Sequence, residues 1–201
     1  MHQDILKTRR KRDQFAEDLR FLKTWAASPL RTGAVSPSSK ELAQRMALEV
    51  DPRQPGMILE LGPGTGVITR ALVERGFDPS RIALVEYNPE FCGHLRSEFP
   101  GAHIINGDAY AIRDHLRHLD HPQLAGVVTG LPLFTKPLAQ RLRLINACFE
   151  ALTPGMPIVQ FSYALVPPVP EGHGDYVIDV SKWVWRNLPP ARVWTYRKPR
   201  A

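Results

Sequence analysis

From residue 57 onward, short apolar runs alternate with stretches of helical periodicity. The pattern predicts strands at 57–61 (MILEL), 81–86 (RIALVE), 102–106 (AHIIN), 124–129 (LAGVVT) and 156–163 (MPIVQFSY). Helices are predicted between and after them, at 66–76, 89–99, 109–119 and 136–152. Strand and helix in regular succession imply a parallel sheet covered on both faces, which is why these strands are apolar throughout. Two further β-rich runs, YVIDVSKWVW and ARVWTYRK within 176–198, are joined only by RNLPP and are expected to pair antiparallel. Trp183, Trp185 and Trp194 alternate along these last strands and read as packing residues. The proline-rich stretch LVPPVPEGHG at 165–174 reads as a loop.

Ahead of the sheet, residues 4–27 read as an amphipathic helix with Phe15, Leu19, Leu22 and Ala26 at steps of three or four. A second helix is expected from SPSSKELAQRMALEV, opened by a capping box of Ser38 and Glu41 and running to about Val50. The predicted organisation is therefore an N-terminal helical cap over residues 1–50 and an α/β domain over residues 51–201. Its mostly parallel seven-stranded sheet carries helices on both faces and is Rossmann-like.

Charge adds a partner class. The 201-residue chain has 26 Lys and Arg against 20 Asp and Glu, a net charge of +6, which favours an anionic partner such as a membrane surface or nucleic acid. Residues 1–33 hold eight basic side chains against four acidic ones, and residues 181–201 hold six basic and none acidic. Lys7, Arg9, Arg10, Lys11 and Arg12 beside the stripe of Phe15, Leu19 and Leu22 are the expected membrane-contacting group. No apolar run is long enough to span a bilayer, and the charged start lacks the apolar core of a signal peptide. Cys92 and Cys148 have no partner at metal-ligand spacing and read as buried apolar groups in a reducing setting. His115 and His118 in DHLRHLDH read as a solvated helix end, and no metal is expected.

The chemistry concentrates in the loops after the strands, where open parallel sheets bind ligands. ELGPGTG, residues 60–66, places Gly62, Gly64 and Gly66 between a strand and a helix, so the backbone can turn tightly and approach a ligand. By itself such a loop is also a plain turn. Glu86, at the end of the second strand, is placed to accept hydrogen bonds from two ribose hydroxyls. Glu60, just before the glycines, would repel a pyrophosphate but suits an ammonium and sulfonium. Asp108 in NGDAY, after the third strand, is in reach of an adenine amino group. Together these favour S-adenosylmethionine over a dinucleotide, with S-adenosylhomocysteine as product.

At this point the sequence resembles the class I S-adenosylmethionine-dependent methyltransferases, and more narrowly the bacterial phospholipid N-methyltransferases of the rhizobial type. The segments that carry it are FLKTWAASPLRTGAVSPSSKELAQRMA, ILELGPGTGVITRALVERG, LVEYNPEF, NGDA, GLPLF and FSY. The glycine loop is shared with ribosomal RNA adenine dimethyltransferases. The resemblance implies a class I methyltransferase fold and donor binding by Glu60, Gly62, Gly64 and Glu86. Ser38, Pro63, Thr65, Gly66, Tyr87, Asn88, Gly107, Asp108 and Ala109 complete the expected donor loops. It further implies stepwise conversion of phosphatidylethanolamine to phosphatidylcholine by a cytoplasmic enzyme held peripherally on the inner membrane, with no nucleic acid and no obligate protein partner.

TGLPLF, residues 129–134, has Gly130 where base-amine methyltransferases carry Asn or Asp, and Leu133 where they carry an aromatic. A planar base nitrogen needs both, whereas an sp³ lipid amine needs only to shed a proton and to be held. Gly130 and Leu131, with Pro132 fixing the chain, are expected to border the methyl path. Tyr110, Tyr163, His173 and Tyr176 are the candidates for holding the amine or taking its proton. An RNA or small-molecule N-methyltransferase, or a membrane- or RNA-binding module that keeps the fold without chemistry, are the rival readings.

Overall fold

The computed structural model describes residues 38–119 and 123–199. The predicted helix at 4–27, its basic cluster and apolar stripe (Lys7, Arg9, Arg10, Lys11, Arg12, Phe15, Leu19 and Leu22), and the stretch 120–122 lie outside the described residues.

Helix α1, Lys40–Ala47, opens at Ser39, whose hydroxyl accepts the Leu42 amide at 3.1 Å. The cap is therefore one residue later than the expected Ser38, and Leu42 rather than Glu41 occupies the position facing it. Glu41 instead approaches the Arg186 guanidinium at 3.5 Å. The helix also stops three residues short of Val50, which is nevertheless buried in the core.

Seven strands follow: β1 Met57–Leu61, β2 Ile82–Glu86, β3 His103–Asn106, β4 Leu124–Thr129, β5 Ile158–Ser162, β6 Val177–Val180 and β7 Arg192–Arg197. They form one sheet in the order β3-β2-β1-β4-β5-β7-β6. The first five pair in parallel, and β7 runs antiparallel to both β5 and β6. The hairpin-like closing pair is thus as predicted, but its second strand inserts next to β5. β6 ends at Val180, so Trp183 and Trp185 lie in the connection and not on a strand, with ring centroids 5.9 Å apart. Trp194 is on β7 and buried, whereas Trp185 is 73% exposed.

Helices α2 Val67–Arg75, α3 Pro89–Glu98, α4 Ile112–His118 and α5 Leu138–Ala151 cover the two faces. Ile68, Leu72, Leu95 and Phe99 pack with Leu42 and Met46 of α1 on Ile58, Leu84, Val128 and Val159. On the other face Ile112, Leu116, Leu144, Ile145 and Phe149 pack on Leu59, Val85, Val127, Ile158 and Tyr196. Alternate residues of one strand feed opposite cores, and so β2, β4 and β5 are buried at every position. Strand order reverses between β1 and β4, which opens a crevice at their carboxyl ends.

Candidate active site

The β1–α2 loop is shaped by glycines whose backbone conformation strains other residues. Gly62, Gly64 and Gly66 all have positive φ, and Gly66 in the left-handed region starts α2. A side-chain carbon on Gly62 would lie 2.8 Å from Leu131, while one on Gly64 would meet nothing within 4 Å. Among the described residues the backbone at Gly64 therefore faces open space, with room for a ligand to approach.

Glu60, on β1 beneath this loop, is fully buried. Thr69 of α2 donates a hydrogen bond to its Oε2 at 2.7 Å, and its Oε1 is buried without a partner among the described residues. Burial pushes this carboxyl up to about 8; the Thr69 hydroxyl pulls it back and the nearby Glu86 charge adds to the rise. A buried acid with an unsatisfied oxygen is suited to a cationic donor group from a ligand, and a phosphate would make its position worse.

Glu86 ends β2 and is held by backbone amides. Gly64 donates to Oε2 at 3.0 Å and Asn88 to Oε1 at 2.8 Å. Each oxygen keeps a further lone pair for a hydroxyl. Asn88 is itself the N-cap of α3, accepting the Glu90 amide at 2.8 Å, while Tyr87 beside it is exposed. Asp108 caps the short turn after β3 by accepting the Tyr110 amide at 2.9 Å, and Ala109 is buried in that turn. Pro63 is buried and Thr65 exposed at the glycine loop, and Ser38 is buried just before α1.

Two residues to which sequence reasoning gave no role at the site position these loops. Asn106 donates to the carbonyl oxygens of Glu86 and Tyr87, both at 3.0 Å, and locks the ends of β2 and β3 together. His115 bonds through Nε2 to the Asp108 carbonyl at 2.8 Å, so that nitrogen carries the proton. Its ring covers Gly107, where an added side-chain carbon would come within 2.4 Å. The His-rich helix end thus supports a loop, and among the described residues there is no cluster able to hold a metal.

The GLPLF segment folds over the glycine loop. Gly130 donates its amide to the Leu61 carbonyl at 2.9 Å, and a side-chain carbon there would meet the Gly62 carbonyl oxygen at 2.8 Å. The position that carries Asn or Asp elsewhere has no space for one in this arrangement. Beside it lies a narrow cleft, about 370 Å³ including space open to solvent, between residues 130–134, the end of β5 and Pro168.

Tyr163 and Gln160 line this cleft, and burial pushes the Tyr163 hydroxyl up to about 12. Arg141 flanks it, with its guanidinium 5.3 Å over the Phe134 ring and a hydrogen bond to the Pro168 carbonyl. Among the described residues no carboxylate pairs with Arg141.

The other candidates are placed apart. Tyr110 is half-buried under Lys136, whose ammonium stands 5.4 Å from its ring centroid, and burial pushes its hydroxyl up to about 12. Tyr176 is in the core, stacked on Phe149, and spends its hydroxyl on the Pro170 carbonyl at 2.8 Å. His173 is exposed in the proline-rich loop. The structure thus brings Gly130, Leu131 and Tyr163 to one cleft, and leaves Tyr110, His173 and Tyr176 outside its lining.

No family model matches the chain. It is 27% identical to an ornithine lipid N-methyltransferase of Singulisphaera acidiphila over 79% of its own length and 84% of that protein. A ribosomal RNA small subunit methyltransferase A of Porphyromonas gingivalis is 36% identical over 33% of this chain and 26% of that one. Among solved structures, the glycopeptide N-methyltransferase MtfA complexed with S-adenosylmethionine superposes with a TM-score of 0.57 at 14% identity, covering 84% of this chain and 96% of that one. The fold is that of the class I S-adenosylmethionine-dependent methyltransferases, and the loops around Glu60, Gly64 and Glu86 fit S-adenosylmethionine as cofactor.

Proposed function

We propose that this S-adenosylmethionine-dependent methyltransferase acts on the amine of a membrane lipid, taking phosphatidylethanolamine through its mono- and dimethyl forms towards phosphatidylcholine at the inner membrane surface. The observation that carries this reading is the contact at Gly130. The Gly62 carbonyl 2.8 Å from any added side-chain carbon leaves no place for the polar group a planar base nitrogen needs there. Leu133, buried in the same segment, offers no ring for a base to stack on. An sp³ amine lacks both requirements. The lipid N-methyltransferase relative, aligned over most of both chains, supports the same reading. The ribosomal RNA relative aligns over only a quarter of its own length.

The bound donor supplies an electrophilic methyl group on a sulfonium. The chain's residues have to bind that donor, align the amine and exclude water. A lipid amine with a pKa of ~10 is mostly protonated at neutral pH and must lose a proton first. Tyr163, pushed up to about 12, stays protonated there, so it can hold the amine but not act as a base. The proton therefore leaves to water at the cleft mouth. Arg141, beside that cleft and without a carboxylate partner among the described residues, suits the anion that a lipid headgroup carries a few bonds from its amine.

Leu165 and Val166, 59% and 51% exposed in the loop after β5, place apolar side chains near Pro168 at the cleft. They suit an approach to a bilayer. An ornithine lipid is the second reading, favoured by the relative's own substrate.

The test is transfer of labelled methyl from S-adenosylmethionine to vesicles containing either lipid, with ribosomal RNA in parallel. Label is expected in mono-, di- and trimethylated lipid. Label in RNA alone would remove the proposal.

A further inference from the structure

Gln160 is a polar residue in the apolar run of β5, 2% exposed, and it lines the cleft. In the sheet it stands directly across from Thr129, the residue before Gly130. Its Nε2 donates to two carbonyl oxygens, Phe161 at 2.7 Å and Leu131 at 3.1 Å. Carbonyls only accept, so these two bonds fix which end of the amide is which. The Oε1 end is left as a buried acceptor with no partner among the described residues. Such groups are rare in folded proteins and call for a donor.

Resting on the lipid-amine reading, we infer that Gln160 Oε1 accepts a hydrogen bond from the substrate nitrogen. It supplies from β5 the acceptor that Gly130 on the neighbouring loop cannot carry. Gln160 is neutral and takes no proton. It holds an N–H of the uncharged amine and leaves the lone pair to attack the methyl carbon. The carbon–sulfur bond breaks with its electron pair going to sulfur, and the new ammonium then releases its proton to water.

The number of N–H bonds sets a signature. An uncharged primary amine has two, a monomethylamine one and a dimethylamine none. Gln160 therefore assists the first and second transfers and has nothing to hold in the third.

The experiment measures initial rates on vesicles of unmethylated, monomethyl and dimethyl lipid, in both the phosphatidylethanolamine and ornithine series. Wild type is compared with Gln160→Met, which loses the acceptor, and Gln160→Glu, which keeps an acceptor but loses both donors. Gln160→Met is expected to slow the first two transfers about tenfold, the size of one lost hydrogen bond, and to leave the third within about twofold. Gln160→Glu is expected to restore the ratio of first to third transfer. Any general loss of folding cancels in that ratio. An equal loss on all three lipids, no loss on any, or a Glu variant with the same ratio as Met would overturn the inference. No label in any lipid with wild-type protein would overturn the lipid-amine reading itself, and the inference with it.

Discussion

Glu60 is the residue whose surroundings make the sharpest prediction. Unfolded, its carboxyl titrates near the ordinary 4.5; folded, burial raises it to about 8. Between those values the native state keeps a proton that the unfolded chain has released, so stability falls as pH rises through the window. The contribution is complete below the unfolded value and lost as pH passes the folded one. The melting temperature of ligand-free protein should therefore drop between about pH 5 and pH 8, and Glu60→Gln should flatten that slope. A cationic ligand beside Oε1 favours the ionised form, so S-adenosylmethionine should bind more tightly towards pH 8 and release a proton below it. Calorimetry in buffers of different ionisation heat reads that proton; proton release unchanged in Glu60→Gln would show that another group is responsible. At Gly130 a smaller change suffices. Gly130→Ala sets a methyl 2.8 Å from the Gly62 oxygen. Relieving that overlap should cost about 1–3 kcal/mol in urea unfolding and weaken donor binding by displacing the glycine loop. An unaltered dissociation constant for the donor would mean that the two loops do not lean on each other.

Among the elements, the five parallel strands and the helices between them were readable because burial on both faces leaves near-continuous apolar runs that nothing else in a short chain explains. The features that escaped are those where one side chain decides. Ser38 and Ser39 are chemically alike, and only the helix register shows that the second accepts the Leu42 amide. YVIDVSKWVW reads as one strand, yet the continuous strand ends at Val180: the Ser181 hydroxyl donates to the Lys182 carbonyl and accepts the Val193 amide, and beyond it only an isolated bridge of Val184 with Ala191 remains. Gln160 was visible as a polar position in MPIVQFSY, but a glutamine in a strand carries no chemistry until its two donor bonds and its oxygen, unpaired among the described residues, are seen. Asn106 and His115 were read as the last residue of a strand and a solvated helix end for the same reason. The loop after β5 shows the reverse case, since its prolines were read as a connection while Leu165 and Val166 are left exposed near the cleft. Replacing both with Ser should lower methyl transfer on vesicles several-fold, by removing buried contact area at the lipid surface. Transfer to the same headgroup on a short-chain, water-soluble lipid should be unchanged. A loss on both substrates would place these residues in the fold rather than at the bilayer.

At the scale of the whole molecule, the carboxyl edge of the sheet gathers the glycine loop, Glu86, Asp108, the 130–134 segment and the cleft. Among the described residues no helix is long and apolar enough to cross a membrane. The charge of the chain bears on the proposed hold at a bilayer surface. Net +4 over residues 1–33 and +6 over residues 181–201 leave the intervening stretch net negative, since the total is +6. On the proposed reading, attraction to an anionic leaflet is therefore divided between the two ends of the sequence. Each basic side chain near such a surface is worth ~1 kcal/mol at moderate salt and fades as the Debye length shrinks. Sedimentation with anionic vesicles should accordingly be strong at low salt and largely lost at about 0.5 M, where screening falls below the spacing of charges. Neutralising Lys7, Arg9, Arg10, Lys11 and Arg12 together should weaken sedimentation while leaving the affinity for S-adenosylmethionine intact. Because Phe15, Leu19 and Leu22 share that segment, a residual salt-resistant fraction should persist in the charge variant and disappear when these three are changed to Ser. Full sedimentation of both variants would move the membrane-facing surface to the C-terminal basic group of Lys182, Arg186, Arg192, Arg197 and Lys198.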